Sequence, residues 1–190
     1  MDLTPTPSQT VGPFFHFSLT TEKCCIKRIA GPHTKGERVW LKIRVIDGDD
    51  VPVNDAMIEI WQANAEGKYN HPDDKQRKLV DSEFVGFGRL GTEEDGSCEF
   101  ETIRPGRVPG PGDALQAPHL NIAVFARGML KQLFTRVYFT DDPANSDDPI
   151  LALVPPSRRE ALLARRDAPA GHWHFDIHLQ GAQETVFFDV

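Results

Sequence analysis

The sequence is short of cysteine, of long apolar runs and of positive charge. Its three cysteines, Cys24, Cys25 and Cys98, are odd in number and two are adjacent, so they imply no disulfide framework. That usage fits a reducing compartment, and a cytoplasmic location is expected. No apolar run approaches the roughly 18 residues that cross a bilayer. The N-terminal MDLTPTPSQT lacks both the basic start and the apolar centre of a secretory signal. Lys and Arg number 21 against 28 Asp and Glu, a formal net charge of −7. Phosphate contacts need clustered cations, so neither nucleic acid nor a membrane is expected as a partner. There is no internal repeat and no low-complexity tract.

What is present points to strands. The 190 residues are enough for one domain, expected over 1–190, with a sizeable core. Fifteen glycines and fifteen prolines favour many turns and an all-β layout. The chain is organised around residues 117–139, where Leu120, Ile122 and Val124 alternate with His119, Asn121 and Ala123. A period of two puts the aliphatics on one face and the polar residues on the other. Arg127-Gly128 then turns the chain, and Leu133 to Phe139 resumes it as the second arm of a hairpin. Further strands are read at 39–46, 56–62, 84–90, 98–103, 172–179 and 184–190, with a long loop over 104–118.

One helix is predicted over 157–166 (SRREALLARR), with Ser157 as N-cap, Glu160 completing a capping box, and Arg165-Arg166 at the negative end of the dipole. Residues 1–20 carry the X-Pro steps Thr4-Pro5, Thr6-Pro7 and Gly12-Pro13, which favour extended backbone. Val11, Phe14, Phe15 and Phe17 are too apolar for a free tail, so this arm is expected to pack on something. About eight strands and one helix give a β-sandwich.

Two constellations could carry chemistry. His172, His174, Asp176 and His178 share one face of a strand, and imidazole with carboxylate is a common divalent set. The opposite face is strongly apolar, so an ordinary core strand with a polar outer face is the simplest account of them. Tyr69, His71 and His119 lie in or beside loops. Phenolate with imidazole suits ferric iron, although Tyr and His are common in loops.

The order of motifs is more specific. IEIWQANAEGKYNH at 58–71, FGRLGTEEDGSCEFETIRPG at 87–106, APHLNIAVFARG at 117–128, TPSQTVGPFF at 6–15 and HLQGAQETVFFDV at the C-terminus resemble the intradiol ring-cleavage dioxygenases over nearly the whole chain. The resemblance implies a β-sandwich of the intradiol type. It also implies a non-haem ferric ion held by two tyrosines and two histidines. Tyr69 and His119 match the first ligand of each kind. The second tyrosine falls at Val108 and the second histidine at Asn121.

Val108 cannot coordinate iron and Asn121 is a poor ligand for it. Tyr69, Val108, His119 and Asn121 are therefore vestigial ligand positions, and no metal or catalytic residue is expected in this chain alone. The implied role is that of the metal-free alpha subunit of a two-chain enzyme. In it Thr10, Gly12, Pro13 and Arg127 line the substrate pocket, and a homologous beta chain holds the iron. Protocatechuate and O2 are the implied substrates, with the N-terminal arm packing on the partner. A single-chain intradiol dioxygenase and a non-enzymatic β-sandwich binding module are the alternatives.

Overall fold

The computed structural model describes residues 6–189. A seven-residue helix, α1 (Pro13–Leu19), comes first. The strands that follow are β1 (Arg38–Ile46), β2 (Met57–Gln62), β3 (Phe87–Gly91) and β4 (Ser97–Ile103). Two-residue strands β5 (Val108–Pro109) and β6 (Leu115–Gln116) pair with each other inside the loop expected over 104–118. Then come β7 (His119–Phe125), β8 (Leu133–Phe139), β9 (Leu163–Asp167) and β10 (His172–His178).

The main sheet has eight strands in the order β3-β2-β7-β8-β9-β10-β1-β4. β8 runs parallel to β9 and β1 parallel to β10; the other neighbours are antiparallel. The sheet folds over so that its two halves share one core. Ile58, Ile60, Leu120, Ile122, Val124 and Val137 from one half pack in the same cluster as Leu41, Ile43, Phe100, Phe175 and Ile177 from the other. Strict alternation in β1, β7 and β10 produces this, and each large aliphatic so buried contributes about 1.5–3 kcal/mol. Gln62, fully buried at the end of β2, ties the halves together. Its Nε2 donates to the Ile103 carbonyl at 2.9 Å and its Oε1 accepts from Thr102 Oγ1 at 2.7 Å. Both ends of the amide are thereby satisfied, as a buried polar group requires.

Three expectations are corrected. The helix over 157–166 is absent: Pro156–Leu162 forms a 3-10 helix with no side-chain cap, and Leu163–Asp167 is β9. β9 is the link between the two halves, pairing with Tyr138–Phe139 on one side and with His172–His174 on the other. Those pairings outweigh a weak local helix preference. The C-terminal strand is reduced to a single bridge between Phe188 and Phe134. β9 already occupies the Tyr138–Phe139 end of the β8 edge, leaving the Phe134 end for this contact. The N-terminal arm turns helical at Pro13, because proline's fixed φ suits a first helical turn. Residues 1–5 of the arm lie outside the described residues. Within the arm, the Phe15 ring lies 5.8 Å from the Phe125 ring, while Phe14 and Phe17 remain exposed.

Candidate functional site

The polar face of β7 is where the structure gathers reactive groups. Residues directly opposite on antiparallel strands project to the same face. The registers place Trp61, Asn121 and Arg136 in one row across β2, β7 and β8, and set His119 opposite Tyr138 in the neighbouring row.

Tyr69 reaches the same face from the loop after β2. Asn64 Oδ1 accepts from the backbone N–H groups of Glu66 and Lys68, which curls that loop back. Lys68 and Asp74 form a buried ion pair at 3.3 Å, and Asp74 Oδ2 accepts from the Tyr69 N–H at 2.8 Å. The Tyr69 ring stacks on Trp61 (6.0 Å between centroids, 5° between planes). Its hydroxyl lies 3.4 Å from Asn121 Nδ2, which donates to it.

Val108 is brought in by a close backbone approach. Gly67 has φ +75°, and a Cβ there would lie 1.8 Å from the Arg107 carbonyl oxygen. The loop carrying Arg107 and Val108 is therefore pressed against the one carrying Tyr69, and Trp61, Tyr69 and Val108 line one cavity. The four positions that the family resemblance singled out, Tyr69, Val108, His119 and Asn121, thus surround one face. His71 stays at the rim with its edge toward Trp61.

Burial dominates the electrostatics here. It raises the Tyr69 pKa, against the Asn121 hydrogen bond and the Arg136 charge, which lower it. It also lowers His119 to about 4, with the Arg136 guanidinium acting in the same direction. His119 Nδ1 is 2.7 Å from the Ala117 carbonyl, which can only accept, so Nδ1 carries the proton and Nε2 is bare. Nε2 is buried with no hydrogen-bond partner among the described residues.

That bare nitrogen and the phenol oxygen of Tyr69 are two donors a metal would use, but the rest of the set does not fit a ferric ion. Val108 offers no donor atom. Asn121 turns its amide N–H toward Tyr69. Arg136, on the same face, carries a permanent positive charge. Among the described residues no group of three His, Cys, Asp or Glu side chains is arranged for a metal. That includes the strand of His172 to His178, where His172 stacks on Trp40 at 4.9 Å and His174 Nε2 lies 3.3 Å from Asp176 Oδ2.

Of the expected substrate-binding positions, Thr10 and Arg127 meet at the other end of β7. Thr10 Oγ1 accepts from the Gly128 N–H at 2.8 Å, joining the N-terminal arm to the Arg127-Gly128 turn. The Gly12 carbonyl accepts from the Phe15 N–H at 3.0 Å, at the start of α1. The side chain of Pro13 lies outside the described residues. Arg127 Nε pairs with Asp55, and the Arg127 side chain is 75% exposed. One residue of the β7 face escaped the sequence reading: Arg136. Its signal was a lone cation in the mostly apolar β8 (LFTRVYF).

Comparison with known proteins bears on the family and the fold. The family model described as Dioxygenase matches residues 10–181. The chain is 44% identical to the protocatechuate 3,4-dioxygenase alpha chain of Burkholderia cepacia, over 99% of this chain and 98% of that one. It is 35% identical to the protocatechuate 3,4-dioxygenase beta chain of the same organism, over 79% of this chain and 67% of that one. Among solved structures, the dioxygenase domain of a dioxygenase–carbohydrate-binding protein fusion from Streptomyces sp. SirexAA-E superimposes with a TM-score of 0.63 at 29% identity, covering 94% of this chain and all of that domain. With its fold, its motifs and its full-length relatives in agreement, the chain belongs to the intradiol ring-cleaving dioxygenase family.

Proposed function

We propose that this chain is the alpha subunit of a protocatechuate 3,4-dioxygenase, working with a homologous beta chain that holds the non-haem ferric ion. The observation that carries this reading is the likeness to an alpha chain along the full length, coupled to a broken donor set at Tyr69, Val108, His119 and Asn121. The enzyme cleaves protocatechuate between its two hydroxyls with O2, giving 3-carboxy-cis,cis-muconate. When bound by the partner, a ferric ion would supply the redox and Lewis-acid chemistry of ring opening, and no residue of this chain would hold it.

This chain's contribution is the half-site of Thr10, Gly12, Pro13 and Arg127. Thr10 fixes the arm to the turn, and the turn presents Arg127. A guanidinium offers paired planar donors and keeps its charge, which suits the ring carboxylate of the substrate. Asp55 holds Arg127 in place from this chain's side. The three cysteines are free thiols, which supports a cytoplasmic location.

The N-terminal arm is proposed to bury on the beta chain. Phe14 and Phe17 are 80% and 71% exposed here, and permanent complexes have the more hydrophobic interfaces. Deleting residues 1–17 is expected to weaken assembly, read as loss of co-purification with the beta chain and a shift to smaller species on gel filtration. Full-strength co-purification of the truncated chain would mean that the arm does not join them.

A further inference from the structure

Two donors survive beside the polar face of β7. His119 Nε2 is bare and buried, and the Tyr69 hydroxyl is close to Asn121. A cavity of about 520 Å³ opens over the row, lined among others by Trp61, Phe87, Asn121, Phe134, Arg136 and Phe188. We propose that the Arg136 guanidinium, and not the loss of two ligands alone, keeps metal ions out of this face. It does so by standing as a fixed internal cation beside the remaining donors.

The register sets Arg136 directly opposite Asn121, on the same face as His119, Trp61 and Tyr138. Its Nη1 donates to Gln116 Oε1 at 2.7 Å and lies 3.4 Å from the Tyr138 hydroxyl. Gln116 is the strand partner of Val108. The guanidinium therefore reaches from β8 to the ribbon that carries Val108, spanning the face on which both surviving donors lie.

Its described partners are neutral: Gln116, the Tyr138 hydroxyl and the Phe188 ring at 5.9 Å. Of the carboxylates nearby, Asp189 lines the same cavity but forms no ion pair with Arg136 among the described residues, and the other two are engaged elsewhere. Asp148 accepts from Tyr138 and from the backbone N–H groups of Ala117, Ile150 and Leu151, and Glu59 pairs with Arg89. The charge on Arg136 is thus left to act on the face. It bears on Tyr69, His119 and Tyr138 alike. Arg cannot shed its proton, so an incoming divalent or trivalent ion meets repulsion at every ordinary pH.

The consequence is that restoring ligands should not restore metal binding. The variant V108Y/N121H and the variant V108Y/N121H/R136Q, each the full chain, would be loaded with ferric iron and desalted. Iron content and the tyrosinate-to-iron absorption band would then be measured. The triple variant should retain about one iron per chain with the band, and the double variant well below that. Equal iron in the two, whether full or absent, would overturn the proposal. Should either variant fail to fold, R136Q alone and the unaltered chain would be titrated with Co(II), which needs no introduced ligand. R136Q should bind at least about tenfold more tightly, and equal affinity would overturn the proposal. Neither result depends on whether a beta chain assembles with this one, so failure here is distinct from failure of the proposed function.

Discussion

In the assembled enzyme, Arg127→Ala is expected to raise the KM for protocatechuate by about tenfold to a hundredfold while changing the KM for plain catechol little. The side chain stands at the turn between β7 and β8, fixed through Thr10 and paired with Asp55. It is mostly exposed in this chain, so it is free to meet a ligand that the partner presents. Protocatechuate carries its carboxylate on the ring edge away from the hydroxyls, and catechol has none. Hydrogen bonds to charged groups contribute roughly 1.5–3 kcal/mol, which sets the expected range. Iron content should stay as it was, since Arg127 lies at the opposite end of β7 from His119 and Asn121. Steady-state kinetics on the two substrates, with metal analysis of the same preparations, give the answer. Equal losses on both would assign Arg127 to the architecture of the turn.

The second large effect falls on Gly67. Gly67→Ala should destabilise the chain by about 3 kcal/mol: left-handed backbone costs a residue with a Cβ roughly 1–2 kcal/mol, and overpacking adds a further 1–3. The new Cβ would lie 1.8 Å from the Arg107 carbonyl oxygen, so the backbone itself must yield. Because that backbone carries Val108 beside Tyr69, the near-ultraviolet circular dichroism of the Trp61–Tyr69 stack should change as well. Gly12→Ala is the contrast. A Cβ there meets nothing within 4 Å, so its effect should stay within about 0.5 kcal/mol. Urea unfolding of the two variants compares them directly. Equal, small losses would mean that the 104–118 loop is free to move away from Tyr69.

Much of the fold was legible because alternation is a direct record of which face is buried. The apolar residues of β7 and of 173–177 point where their period placed them. The misreadings share a cause. SRREALLARR has a sound local helix pattern, yet its last residues supply the strand that joins the two halves of the sheet. Such a demand comes from residues far away in sequence, and no local pattern records it. The C-terminal segment has strand composition, but β8 has little free edge left to pair with it.

The site divides in the same way. Tyr69, His119 and the Arg127 turn could be named from motifs. Arg136 could not, because its importance is its register opposite Asn121, and register across a hairpin is fixed by the fold. Gly67 likewise gives no sign in the sequence that another loop presses against it.

Iron and ring cleavage, measured on the purified chain alone and after mixing with its beta chain, bear most directly on the division of labour proposed here. The chain alone should hold well below one iron, show no tyrosinate-to-iron absorption, and consume no O2 with protocatechuate. The mixture should hold iron, show the absorption band and consume O2 with protocatechuate. A chain that alone held one iron, showed the absorption band and opened the ring would contradict this reading, and would mean that Tyr69 and His119 serve a working metal centre despite Val108, Asn121 and Arg136.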